Sequence, residues 1–130
     1  EAMQKNGIPT VVWFTPVLPF INDTEENLRG ILSYCFDVGV KGIICMGIGT
    51  TMRDGDREYF YSALDRHFPG MKQRYISQYG NEYICNSVNN GRLMSIFCNE
   101  CEKHGVMYEP AKVFSYLYEF PEKNEQLSFF

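Results

Sequence analysis

Three cysteine and histidine positions draw attention first. Cys98-Asn-Glu-Cys101 with His104 places two thiols and an imidazole at i, i+3 and i+6 on one helical stretch. Thiolate and imidazole are zinc ligands, and a structural zinc site needs four of them. Adjacent members of this set could share an ion, but all three would strain to do so across two helical turns. Cys85 would have to supply the fourth ligand, with Cys35 and Cys45 less well placed. The same pattern also reads as one buried and one exposed thiol on an amphipathic helix, and no metal ligand is assigned. The chain has five cysteines, an odd number spread through helix-like and strand-like contexts. That usage fits reduced, mostly buried thiols of a cytoplasmic protein better than a disulfide framework.

Two further clusters carry chemical potential. Gly47-Ile-Gly49-Thr-Thr51 is a small glycine loop whose backbone amides could approach a ligand. It lacks the G-x-G-x-x-G spacing of a nucleotide cradle, and a tight turn explains it equally well. Arg53, Arg57, Arg66, Lys72 and Arg74 form the main basic concentration. They alternate with Asp54, Asp56, Glu58 and Asp65, so the segment reads as a solvated helix face laced with ion pairs. His67 follows Asp65-Arg66 at a helix end, where an imidazolium suits the helix dipole. No serine or cysteine nucleophile stands beside it in sequence.

The elements that must position these residues begin with a buried strand over residues 8–20, opened by Pro9 and ended by Pro16 and Pro19. Asn22-Asp23-Thr24 then offers three N-cap residues in a row. Asp23 with Glu26 has the spacing of a capping box. Leu28, Ile31, Leu32, Cys35 and Phe36 recur at helical spacing, and Gly39 reads as the residue that ends the helix. A second buried strand follows at Val40–Met46, apolar on both faces as in a covered parallel sheet. Strand, helix and strand in so short a span make a βαβ unit, with ligand sites expected at the carboxyl ends of the strands. Beyond it the chain reads as helical. Helices are expected from Asp54 or Asp56 to about Phe68, with Tyr59, Phe60, Ala63, Leu64 and His67 on its face. Others are expected over Met71–Tyr79, Gly91–His104 and Ala111–Phe120, while Asn81–Asn90 reads as irregular. The expected division is 1–70 for the βαβ and following helix, 71–121 for a helical extension and 122–130 for a tail.

Composition bounds the classes. At 130 residues the chain is one domain at most, and its net charge of −4 supplies no global cationic field for nucleic acid or anionic membrane. No apolar run approaches the ~20 residues of a membrane span, and the opening residues lack the apolar core of a signal peptide. The fold begins almost at once and in mid-pattern, which reads as the end of a larger α/β enzyme.

The order Pro16-x-x-Pro19-x-x-Asn22-Asp23, a helix, and Gly39-Val40 before a buried strand resembles the late strands of the spore photoproduct lyase-like radical SAM proteins. Phe68-Pro69-Gly70, Tyr79-Gly80-Asn81-x-Tyr83, Cys101, Gly105 and the closing segment from Phe120 agree with that resemblance, which covers nearly the whole chain. It implies an α/β fold: a parallel βαβ from the end of a partial (β/α) barrel, followed by a helical C-terminal extension. It implies that the parent protein binds S-adenosylmethionine and a [4Fe–4S] cluster held by a C-x3-C-x2-C loop, and performs radical chemistry on damaged DNA or another nucleic acid. This chain has no C-x3-C-x2-C, so neither cofactor is expected to stay with it and catalysis is not expected of it alone. The proline-rich turn with Pro19, Asn22 and Asp23, together with Gly47 and Gly49, is then expected on the cofactor rim. Helix capping is the other reading of Asn22 and Asp23.

The tail Gln126-Leu127-Ser128-Phe129-Phe130 is similar to the peptide by which bacterial replication and repair proteins dock on the sliding clamp. Gln126 would enter one subpocket, while Leu127 and the Phe129–Phe130 pair would fill an apolar one. Phe129 stands where leucine is usual, and packing on the protein's own core is the other reading. A bare sheet edge finally predicts a homodimer or strand exchange when the chain is isolated.

Overall fold

Two short runs of β-branched residues organise the molecule. In the computed structural model, which describes residues 1–119, Val11–Trp13 (β1) and Gly42–Ile44 (β2) pair in parallel, with Val12 opposite Ile43. The ladder continues past both strands through Lys41 N–H to the Thr10 carbonyl at 2.9 Å and Phe14 N–H to the Ile44 carbonyl at 2.8 Å. β2 is bonded on its other side as well. Ile43 N–H donates to the Met107 carbonyl at 2.8 Å, and Met107 forms a parallel bridge to Gly42. A one-turn helix, Ala2–Lys5 (α1), precedes β1.

The crossover between the strands is the helix Glu25–Asp37 (α2). Its N-cap is Thr24, whose hydroxyl accepts from Asn27 N–H at 3.2 Å, so the expected Asp23–Glu26 capping box does not form. Asp23 is engaged elsewhere, as the acceptor for the Ser87 hydroxyl at 2.5 Å. Gly39 does end the helix, at φ +71°, a left-handed conformation that glycine adopts without a Cβ penalty.

Both faces of the parallel pair are covered. On one face Leu28, Leu32 and Cys35 of α2 meet Ile43, Cys45 and the residues Leu93, Phe97 and Cys101. The last three come from a later helix, Asn90–Lys103 (α5), and the Phe14 and Phe97 rings stack with centroids 6.4 Å apart. The opposite face is closed by the helix Pro110–Tyr118 (α6). A Cβ built on Gly42 would lie 3.3 Å from both Val113 methyls, and Val113 is fully buried. Trp13 meets Phe114 edge-on, with centroids 6.2 Å apart.

The chain beyond β2, which reads as helices joined by loops, contains two more strands. Gly49–Thr51 (β3) pairs antiparallel with Ile84–Asn86 (β4), within what reads as a glycine loop and an irregular stretch. Between them lie the helices Asp56–His67 (α3) and Met71–Tyr79 (α4). The α3 cap differs from the expected aspartates: the N-cap is Gly55, whose N–H donates to the Glu58 carboxylate at 2.9 Å. Leu64 is its buried residue, while Tyr59 faces solvent.

These elements enclose a second core of Met52, Leu64, Tyr75, Tyr79 and Cys85, with Phe20 and Ile21 packed against it. Tyr75 is wholly buried and donates its hydroxyl to the Pro19 carbonyl at 2.7 Å.

Burial raises the acid groups of both cores. The Cys101 thiol is pushed up to about 12 from its usual 9.0, and the Tyr79 hydroxyl to about 12 from 10.0, with desolvation the first cause in each. Tyr75 is raised for the same reason. These groups are neutral when protonated, and the unfolded chain releases their protons before the folded chain does. Their contribution is therefore fully present below pH 9 and lost as pH rises from 9 towards 12. The urea midpoint should hold between neutrality and about pH 8.5 and fall above pH 9. A midpoint unchanged to pH 11 would contradict this account.

Candidate functional site

The carboxyl ends of β1 and β2 open onto a groove of about 320 Å³ bounded by Trp13, Thr15, Met46, Gly47, Gly49, Thr50, Thr51, Ile84 and Asn86. Strand alternation explains the first wall. Val12 turns into the core beneath α2, so Trp13 turns to the other side. Met46 lies two residues past the end of β2, and Ile84 comes from β4 across the antiparallel ladder. Trp13, Met46 and Ile84 are 54%, 75% and 57% exposed, which is unusual for three large apolar groups on one groove. The polar contribution comes from the Thr15 and Thr51 hydroxyls, the Asn86 amide and the backbone of Gly47 and Gly49. Among the described residues no titratable side chain lines the groove. Its walls can hold an apolar or aromatic group and hydrogen-bond its edges, and they offer no proton donor or base.

A lattice of hydrogen bonds holds the groove's floor. Val17 N–H donates to the Gly49 carbonyl at 2.9 Å, and Ser87 N–H to the Ile48 carbonyl at 2.7 Å. Ile48 N–H donates to the Asn90 side-chain carbonyl at 2.7 Å, which ties the loop after β2 to the start of α5. Tyr79 donates its hydroxyl to the Asn86 carbonyl at 2.6 Å. Gly49 is required by this approach. A Cβ there would stand 2.4 Å from the Cys85 carbonyl and 2.7 Å from the Asn86 Cα.

The residues expected on the cofactor rim divide into two sets. Gly47 and Gly49 line the groove. Pro19, Asn22 and Asp23 lie on the turn behind it. The Pro19 carbonyl is held by Tyr75, and the Asn22 side chain accepts from Leu18 N–H at 2.6 Å. The Asp23 carboxylate accepts from the buried Ser87. Phe20, at φ +65°, anchors the same turn: its ring lies edge-on to Tyr75 and beneath the Arg74 guanidinium, 4.1 Å away. The turn thus packs against α4. Trp13, Met46, Ile84 and Asn86 escape a reading by motif, because their convergence depends on the β3–β4 pairing. The one available signal is a lone tryptophan at the end of a β-branched run.

The thiol and basic clusters have structural surroundings. Cys101 is buried in the first core, Cys98 is half-buried, and His104 stacks on Phe36 with ring centroids 4.0 Å apart. Among the described residues no three His, Cys, Asp or Glu side chains are arranged to hold a metal ion. Arg57 donates to the Gly80 and Glu82 carbonyls at 3.0 and 2.7 Å, and Lys72 pairs with Asp65 at 2.9 Å. Arg53 donates to the Tyr83 hydroxyl at 3.3 Å, which holds that phenol below its ordinary range. The Gln126–Phe130 peptide lies outside the described residues.

Among the described residues no helix is long and apolar enough to cross a membrane. No family model, curated protein or solved structure matches the chain.

The groove's dependence on Gly49 is measurable. Gly49→Ala forces a methyl into backbone atoms and should cost about 2–4 kcal/mol in urea denaturation. Gly91→Ala is the control, since nothing lies within 4 Å of its Cβ position on α5. It should be neutral or stabilising by up to about 1 kcal/mol. Equal effects of the two substitutions would remove the close approach as the cause.

Proposed function

We propose that this chain is the C-terminal part of a spore photoproduct lyase-like radical SAM protein, to which it contributes the last strands of a partial (β/α) barrel and the helices that cover them. The observation that carries the reading is the parallel pairing of β1 and β2 as immediate neighbours. Antiparallel or separated strands would have removed it. The position of the groove gives further support, because parallel α/β sheets bind ligands at the carboxyl ends of their strands. The proline-rich turn that carries the resemblance leaves β1 at that same end.

The two implied cofactors fit this chain differently. A cluster needs three exposed, deprotonated thiols within reach of one another. Cys35, Cys45, Cys85 and Cys101 are buried, and burial raises all four thiols. These residues do not fit a cluster. The groove fits S-adenosylmethionine better. Trp13 and Met46 would pack on its apolar parts, and the Gly47 and Gly49 backbone would allow close approach. Bound there, that cofactor would bring radical chemistry to the parent, and Trp13, Met46, Gly47 and Gly49 would hold and orient it. The parent's target is damaged DNA or another nucleic acid, and its compartment the cytoplasm.

The decisive assay uses the uncut parent polypeptide, reconstituted anaerobically with iron and sulfide and supplied with S-adenosylmethionine and reductant. A bound [4Fe–4S] cluster and release of 5′-deoxyadenosine are expected from the parent, and neither from the 130-residue chain. A parent that binds no cluster and releases no 5′-deoxyadenosine would reduce the resemblance to architecture alone.

A second reading is that of an interaction module, favoured by the Gln126–Phe130 sequence, which lies outside the described residues. The partner is a sliding clamp. Truncation after Glu125 should abolish binding to immobilised clamp while leaving the melting temperature unchanged. A fall of several degrees would instead place the tail in the protein's own core.

A further inference from the structure

The chain has nine tyrosines, and their phenols differ in surroundings. Tyr75 and Tyr79 are buried and donate to backbone carbonyls. Tyr34, Tyr59 and Tyr118 are exposed, and among the described residues no basic side chain bonds them. Tyr61 accepts from Arg57 at 3.3 Å, but it is half-buried and that guanidinium is also held by the Gly80 and Glu82 carbonyls. Tyr83 combines exposure with a cation at its oxygen: Arg53 Nε–H donates to the hydroxyl at 3.3 Å.

The β3–β4 pairing creates this arrangement. Its ladder runs on through Met52 N–H to the Tyr83 carbonyl at 2.8 Å, so Arg53 follows directly and meets the Tyr83 side chain. The pair borders an open depression of about 450 Å³, which also carries Asp54, Arg57 and Glu58. Glu58 accepts from Gly55 N–H at 2.9 Å. Arg53, followed by the Thr51 hydroxyl, holds the phenol below its ordinary range, against the opposing effects of partial burial and Asp56. A donor cation at the oxygen favours the phenolate, and the phenolate is the nucleophile.

We propose that Tyr83 is a nucleophilic phenol that takes an acyl group from an activated acyl donor. The charges of the depression select that class. Asp54 and Glu58 stand there with the two arginines, so a polyanionic phosphoryl donor would meet as many carboxylates as guanidinium groups. A neutral acyl carbon meets no such opposition. In the reaction the hydroxyl proton passes to water, and an Oη electron pair forms the bond to the acyl carbon. The bond from that carbon to the leaving group breaks. The leaving group departs with the electron pair and takes up a proton, and nothing is oxidised or reduced. Arg53 acts on both stages: it stabilises the phenolate, and its remaining guanidinium donors can bond the acyl oxygen as negative charge develops there. The proposal uses neither the groove nor the barrel reading.

The test treats the 130-residue chain with substoichiometric N-acetylimidazole and maps acetyl groups by peptide mass, with hydroxylamine removal marking the tyrosine esters. Near neutral pH Tyr83 should be acetylated at least about threefold faster than Tyr59 or Tyr118, although these are 74% and 77% exposed against 48% for Tyr83. In Arg53→Gln the Tyr83 rate should fall to that of Tyr59 or below, and the pH at which it reaches half its maximum should rise. Unreacted Tyr75 and Tyr79 mark the variant as folded. Arg53→Lys should restore part of the rate. A Tyr83 rate no higher than that of Tyr59 would overturn the proposal, as would an unchanged Tyr83 rate in Arg53→Gln. Urea serves where the variant fails to fold. Unfolding the unsubstituted chain should abolish the preference for Tyr83, and a preference that survives unfolding would place its cause in the local sequence and remove the site.

Discussion

A parallel pair of three-residue strands cannot stand by itself, and this constraint shapes the rest of the chain. Parallel ladders need apolar cover on both faces. Ile43 and Ile44 are almost wholly buried on opposite faces of β2, so a helical layer must be present on each. α2 and α5 form one layer and α6 the other. Gly42 is part of the same requirement: its missing side chain lets Val113 come down onto the strand. The bridge from Gly42 to Met107 then places α6 by connecting it directly to the far edge of β2.

The second core follows from a different need. The loop after β2 would leave backbone donors and acceptors unpaired at a partly buried place, which carries a high cost. β3 and β4 satisfy part of that demand, and the Asn90 side chain takes the Ile48 N–H, while Asn22, Tyr79 and Ser87 bond the neighbouring backbone of Leu18, Asn86 and Asn89. Two side chains at helix starts are drawn into this network. Asp23 is turned away from α2 to accept from Ser87, and Asn90 is turned from α5 to receive Ile48. The aromatic cluster on α4 completes the arrangement by holding Pro19 and Phe20, so the turn after β1 is fixed from behind. The groove at the strand ends is what remains open once these bonds are made.

This division explains what the sequence could reveal. β1, α2 and β2 are legible because their signals are local: β-branched runs, a 3.6-residue apolar period and a terminating glycine. Their parallel pairing follows from the crossover alone. β3 and β4 are not legible. Gly49-Thr-Thr and Ile-Cys-Asn are too short to carry a period, and their pairing spans the whole of α3 and α4. The cap of α2 was ambiguous among Asn22, Asp23 and Thr24 for a similar reason. The choice depends on Ser87, which arrives from the far end of the second core. Gly47 and Gly49 could be placed near the strand ends, whereas Trp13, Met46, Ile84 and Asn86 converge only through non-local register.

The chemistry available to the groove narrows its part in any reaction. Its apolar walls and amide edges can select a ligand by shape and hydrogen bonding. Among the described residues its lining carries hydroxyl and amide groups and apolar side chains, and no titratable one. The thiols fall on the wrong side of the same boundary. Burial keeps Cys35, Cys45, Cys85 and Cys101 protonated, which makes them packing residues in place of nucleophiles or ligands. A chain that builds its cores from its cysteines and leaves a tryptophan and a methionine at its strand ends is suited to holding a reactive group in place. Among the described residues β1 is the outer strand of its sheet, and the groove lies at its carboxyl end.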